Sequence, residues 1–191
     1  MAKAKRNPVL RGISGSVGEL LFRQVGDETI MGMKPDRSHL VASEAQLAHQ
    51  QRFREAAQYG KRALANPEKQ AVYAAAARER HQPIFSLVVA DFFNEPVVDH
   101  VDTSGYTGQA GQVIGVQAQD DVLIQAVSVT LTDGNGVVLE AGAAQVDPED
   151  NGYWTYTTTA SANGAALVRI GAAATDMPGH VGQAEVEVTL S

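Results

Sequence analysis

The chain has 191 residues, a formal net charge of −7, 44% hydrophobic residues and no cysteine. Such a length holds one large or two small domains whose core needs no covalent staples, and the lack of cysteine excludes disulfides and thiolate metal sites. No apolar run approaches the roughly 20 residues of a membrane-spanning helix.

The charge is unevenly placed. Residues 1–82 hold 14 of the 15 Lys and Arg against 8 acids, a balance of +6, while residues 83–191 hold only Arg169 against 14 acids, a balance of −13. Two modules with different partners, or a basic surface of one copy meeting an acidic surface of another, would account for this; solubility alone is the plainer account. The basic stretch Lys3, Lys5, Arg6 has no apolar segment behind it and does not read as a secretory signal, so synthesis and assembly in the cytoplasm are expected.

In chain order, Gly12-x-x-Gly15-x-x-Gly18 comes first. No strand precedes it and no Gly-Lys-Ser/Thr follows, so tight turning or close packing is expected rather than a phosphate cradle. Residues 17–25 alternate, turn at Gly26-Asp27 and return from Glu28 to Met33. A two-residue turn pairs Val25 with Glu28 and Phe22 with Met31, which puts Leu20, Phe22, Met31 and Met33 on one face. The hairpin then presents two strand edges, each a template for pairing with a neighbour.

Ser43 and Gln46 form a capping box that opens a helix. Its expected packed face is His49, Phe53, Ala56, Ala57, Gly60 and Leu64. Asn66-Pro67-Glu68 ends it and starts a second helix, with Pro at the first position and an acid near the positive end of the dipole. Val72, Tyr73, Ala76 and Ala77 form its stripe. After Gln82-Pro83, the crowded Ile84, Phe85, Leu87, Val88, Phe92 and Phe93 read as a short buried helix, with the N-terminal half expected to pack on Phe92 and Phe93. Asn94-Glu95-Pro96 reads as a linker, dividing a basic hairpin-plus-helical module (1–95) from a strand-rich module (96–191).

Residues 97–190 read as seven short alternating strands with turns between them. Val127, Val129 and Leu131 share one face, and Asp133-Gly134-Asn135-Gly136 is the strongest hairpin signal, with both central positions tolerant of positive φ. Residues 137–146 read as one returning strand, and residues 147–152 as an acidic turn. Trp154 and Tyr156 lie on one face of the next strand, with Trp154 expected in the core. In the last strand Val186, Val188 and Leu190 point inward while Glu185 and Glu187 point outward.

Tyr106-x-Gly108 before a Gly-opened strand, the Ala118-x-Asp120-Asp121 corner, and Ala174-x-Asp176-x-x-Gly179 before the final strand resemble the Ig-like and fibronectin-III-like modules of bacterial surface and phage-type structural proteins. His180 stands where such modules often have Asn. The resemblance covers about half the chain and implies an Ig-like antiparallel sandwich. The order of a Gly-rich hairpin, helices and then a sandwich is similar to that of bacterial proteins with no assigned activity. The expected fold is therefore an α+β module of a hairpin and about three helices, followed by an all-β Ig-like sandwich.

The search for chemistry is short. His39, His49, His81, His100 and His180 are scattered, none at the i, i+4 spacing of a helical zinc pair. No Gly-x-Ser-x-Gly elbow is present. Asp120, Asp121 and Asp176 sit at sandwich corners and suit either turns or a calcium site, turns being simpler. No catalytic residue, cofactor or metal ligand is assigned, and no small-molecule substrate is evident. The expectation is a non-enzymatic structural or interaction protein that holds itself or another protein, as in a filament, a phage-like particle or a surface assembly. Its contact residues are expected to be Lys3, Lys5, Arg6 and Arg11 against Glu149, Asp150, Glu185 and Glu187. The alternative is nucleic-acid binding through the basic half, where the arm Lys3, Lys5, Arg6 and Arg11 and the helical Arg52, Arg54, Lys61, Arg62, Arg78 and Arg80 would contact phosphates; Glu44, Glu55, Glu68 and Glu79 interleave with the helical cations at pairing distance and argue against it.

Overall fold

The computed structural model describes residues 2–4, 13–26, 28–36, 42–150, 152–162 and 164–190. Two compact units are present, residues 1–47 and 48–191. The 95/96 boundary read from the sequence falls inside the second unit, which holds most of the helical segment together with the β-rich remainder.

The first unit contains one antiparallel sheet. Its strands are β1 (Ala2–Ala4), β2 (Gly15–Val17), β3 (Leu20–Val25) and β4 (Glu28–Met33), in the order β1-β4-β3-β2. The β3–β4 register is the expected one, with Val25 opposite Glu28 and Phe22 opposite Met31. Phe22 and Thr29 are buried, and the Thr29 hydroxyl donates to Gln24 Oε1 at 3.0 Å. Both edges of the hairpin are covered within the chain, β3 by β2 and β4 by β1. The open edges expected of the hairpin are thus replaced by three-residue strands, which are poor templates for pairing. Gly15 and Gly18 have φ of 109° and 57° with open space where a Cβ would stand, so turning, rather than close packing, is what they supply.

Helix α1 spans Glu44–Ala65, α2 Pro67–Glu79 and α3 Ile84–Phe93. The capping box forms: Ser43 N donates to Gln46 Oε1 and Gln46 N to Ser43 Oγ. Asn66 Oδ1 accepts from the amides of Glu68 and Lys69 at the start of α2. The buried face of α1 is Ala56, Tyr59, Gly60 and Ala63. Phe53, expected in that face, is 50% exposed. Phe53 lies on the same stripe, two turns before Gly60, but burial along α1 runs only from Ala56 to Ala63; within that run Gly60 lies against the Phe85 ring of α3. Tyr59, Ala63, Tyr73, Ala77, Leu87 and Val88 form a helical core that Met177 and Val122 of the β-rich portion join. Phe92 meets the Tyr59 ring at 5.6 Å and Phe93 the His49 ring at 6.1 Å, so both phenylalanines are the packing points expected.

Eight strands follow, in two antiparallel sheets. One has the order β5-β6-β10-β9 and the other β12-β11-β7-β8. They are β5 (Val97–Asp102), β6 (Val113–Gln119), β7 (Ile124–Asp133), β8 (Val138–Ala143), β9 (Gln145–Val146), β10 (Tyr153–Thr157), β11 (Leu167–Asp176) and β12 (Val181–Thr189). A shared core of Ile114, Val116, Val127, Val129, Leu131, Trp154, Tyr156, Val168 and Ile170 lies between the sheets. Period-2 alternation builds it, most cleanly in β11, where every second residue is buried. Trp154 is 7% exposed and paired with Val116 and Val146 across its two neighbours.

Two details differ from the sequence expectation. The returning strand over residues 137–146 is two strands, because the chain leaves one sheet after Ala143 and joins the other at Gln145. The Asp133–Gly136 turn has positive φ only at Gly136. Asp133 Oδ1 accepts from the amides of Asn135 and Val137, which makes a three-residue loop closed by one left-handed glycine instead of a two-residue turn. The chain is thus α+β, with three helices and three antiparallel sheets among the described residues.

Candidate interaction surfaces and a buried acidic junction

The expected contact residues do not converge. Lys5, Arg6 and Arg11 lie outside the described residues, and Lys3 lies in β1 opposite Ile30. Glu185 and Glu187 are exposed on β12, at one end of its sheet's strand order. Glu149 and Asp150 are exposed in the turn between β9 and β10, at the far end of the other sheet's order from β5. Since β5 packs beside β12 and β8 runs on into β9, the two acid pairs stand at opposite edges of the sandwich. Asp150 Oδ1 also accepts from Gly152 N, so this carboxylate holds its own turn. Glu187 accepts from Arg169 Nε at 2.9 Å, whereas Glu185 extends the same strip of negative charge.

The helical basic residues are partly occupied within the chain. Lys69 Nζ donates to the Met177 carbonyl at 2.8 Å and lies over the Tyr59 ring. Arg80 donates to the Asp121 carbonyl, Arg54 to Gln51 Oε1, and Arg52 lies over Phe93. The helices therefore use several of their cations to hold the sandwich and each other.

Where α1–α3 meet the sandwich, the structure buries polar groups that the sequence did not mark. Asp91, on the same face of α3 as Leu87 and Val88, is fully buried. Its Oδ2 accepts from the Tyr73 hydroxyl at 2.5 Å, and the Tyr73 and Tyr59 hydroxyls are 2.9 Å apart. Asp91 Oδ1 is buried without a hydrogen-bond partner. Burial pushes the Asp91 carboxyl up to about 7 despite the Tyr73 hydroxyl, with the negative fields of Asp120, Asp176 and Asp121 adding to it. Asp120 is raised as well, chiefly by burial, although the Val122 and Leu123 amides donate to it. Asp176, fully buried at the end of β11, accepts from the amides of Gly179 and His180 and lies 2.9 Å from His180 Nδ1. The His180 ring meets Phe92 edge-on at 5.2 Å.

Asp120, Asp121 and Asp176 thus do approach one pole, but as turn-builders and junction residues. Among the described residues no group of three or more His, Asp or Glu is arranged to hold a metal ion. Sequence reasoning missed Asp91 because it counted as one acid in an apolar run; an Asp at i+4 from Leu87 on a helix with no basic residue was the available signal.

At the other side of the sandwich, Glu140 of β8 reaches across to the opposite sheet's following loop. Its Oε2 accepts from Thr159 N at 2.8 Å, the Thr159 hydroxyl at 2.7 Å, Ala160 N and the Tyr156 hydroxyl. Burial pushes this carboxyl up, but these four donors outweigh it and hold it below the usual glutamate range.

No family model matches the chain, and no curated protein matches it. Solved structures are similar over about half of it. CopC from Methylosinus trichosporium OB3b is 14% identical over 51% of this chain and 94% of that one, with a TM-score of 0.39. An engineered protein is 21% identical over 56% of this chain and 27% of that one, at 0.40. A tetra-tandem repeat from the extending region of a large adhesion protein is 20% identical over 51% and 24%, at 0.36. At these scores the likenesses carry no argument about what the chain does.

Proposed function

We propose that this protein is a non-enzymatic structural or interaction protein, with an Ig-like C-terminal sandwich, that binds another copy of itself within a filament, particle or surface assembly. The Ig-like assignment is supported by two packed antiparallel sheets, a chain that changes sheet at Ala144 and the turn chemistry at Asp120, Asp176 and Gly179. The observation that carries the functional reading is the exposed acidic strip on β12 in a segment, residues 83–191, whose sole Lys or Arg is Arg169. Arg169 offsets only one of its two acids, so the strip keeps an excess of negative charge that invites a positive partner, and the chain carries its own in Lys3, Lys5, Arg6 and Arg11. Glu185 and Glu187 are the principal acceptors, with Glu149 and Asp150 as a second patch.

A contact between unlike surfaces of identical chains closes into a ring or runs on as a filament. Deleting residues 1–11, and separately reversing Glu185→Lys with Glu187→Lys, tests this by size-exclusion chromatography with light scattering. Each change is expected to lower the assembled mass. Unaltered mass in both variants contradicts the proposal.

A further inference from the structure

We propose that Asp91 is a proton-operated latch between the helical layer and the sandwich, seating α1–α3 when its carboxyl carries a proton and loosening them when it does not. The geometry is that of a carboxyl built for its neutral form. It is wholly buried, one oxygen has no hydrogen-bond partner, and the other has the Tyr73 hydroxyl. A carboxylate anion in such surroundings ordinarily gathers several donors or a cation.

The groups facing it from each packed element deepen the effect. From α1 comes the neutral Tyr59 hydroxyl, and from α2 Tyr73 together with Lys69, whose ammonium is directed to the Met177 carbonyl. The corner after β6 contributes Asp120 and Asp121, the former with a second buried and unpartnered oxygen, Oδ1. Arg80 and Asn94 both donate to Asp121, which partly screens that acid. From the end of β11 comes Asp176, already committed to the Gly179 and His180 amides and to the His180 ring. Asp91 also occupies the last turn of α3, whose negative end opposes a carboxylate; that turn holds no basic residue of its own, and Arg52 of α1, which donates to the Phe93 carbonyl at 3.5 Å, offsets part of the field.

The sign follows by linkage. A carboxyl raised from 3.8 to about 7 in the folded chain holds a proton that the unfolded chain has released. Its contribution is present in full below about pH 4 and falls as pH rises towards 7, tenfold in the folding equilibrium per pH unit for one proton. The loss is complete about one pH unit above 7. Because the charge appears at the contact between helices and sandwich, the helices should be the part that loosens.

Two measurements on the full-length protein decide it. Carbon-13 labelling of the aspartate carboxyls and NMR titration should give Asp91 a midpoint near 7; a midpoint below 5 overturns the proposal, and this needs no variant. Denaturant unfolding should show wild type losing about fiftyfold in its folding equilibrium between pH 5 and 7, with Asp91→Asn removing most of that slope. Amide exchange in α3, corrected for its intrinsic pH dependence, should rise over the same range in wild type alone. An equal slope in wild type and Asp91→Asn, or α3 protection that does not change with pH, overturns the latch.

Discussion

The sandwich edge at Glu140 and the helical junction at Asp91 each bury one carboxyl oxygen without a hydrogen-bond partner, and they treat the group in opposite ways. At the edge, four donors converge on one oxygen of Glu140 and keep the group ionised. At the junction, one tyrosine hydroxyl serves Asp91, with Asp120, Asp121 and Asp176 pressing the same charge against it. The number and sign of neighbours, not burial alone, sets whether a buried acid acts as a clasp or as a proton store. The edge should weaken in acid and the junction in base.

The largest way to break this comparison is to remove the sandwich beneath it. Trp154→Ala should cost about 3–5 kcal/mol in denaturant unfolding, because a large side chain leaves a core with no other tryptophan to refill it. A cost below about 1 kcal/mol would mean the two sheets do not depend on it. Next comes the seam between β5 and β12. A Cβ on Gly182 would overlap the Pro96 carbonyl, backbone against backbone, so Gly182→Ala should cost about 2–3 kcal/mol. Gly115→Ala is the control: the overlapping atoms there are the far end of the Tyr153 side chain, which can turn away, and the loss should be visibly smaller.

The clasp itself is tested by Glu140→Ala, expected to cost about 2 kcal/mol for hydrogen bonds to a charged acceptor. The pH sign is opposite to that of Asp91. A carboxyl held below its ordinary 4.5 contributes stability above that value and loses it as pH falls through the lower, folded-state value. Wild type should therefore lose more stability between pH 5 and 2 than Glu140→Ala does. The smallest effect is expected at the surface, where Glu187→Ala breaks the Arg169 pair. Both partners are substantially exposed, and the change should stay within about 0.5 kcal/mol.

What was legible in the sequence tracks how local its cause is. The β3–β4 register follows from a two-residue turn, and the caps at Ser43 and Asn66 from residues within three positions of each other. Trp154 and the alternating β7 and β12 residues needed only the period of a strand. The change of sheet at Ala144 was hidden because the small residues Ala141 to Ala144 carry it without a Pro, Asn or Asp turn to mark a second strand. Phe53 failed because period alone does not say where a packed stripe begins: it lies on the Gly60 side of α1, but burial there starts at Ala56. Asp91 was the least visible of all. A lone acid in an apolar helix has no periodic signature, and its partners Tyr59, Tyr73, Asp120 and Asp176 lie on four other segments.

Sedimentation velocity of the full-length protein, at low salt and then at about 1 M, where exposed charges are screened beyond roughly 3 Å, tests the proposed self-association most directly. An acid-strip contact between copies predicts a species heavier than the 20.2 kDa chain at low salt that dissociates to 20.2 kDa at high salt. A single 20.2 kDa species at both salt concentrations, at every protein concentration used, would contradict it.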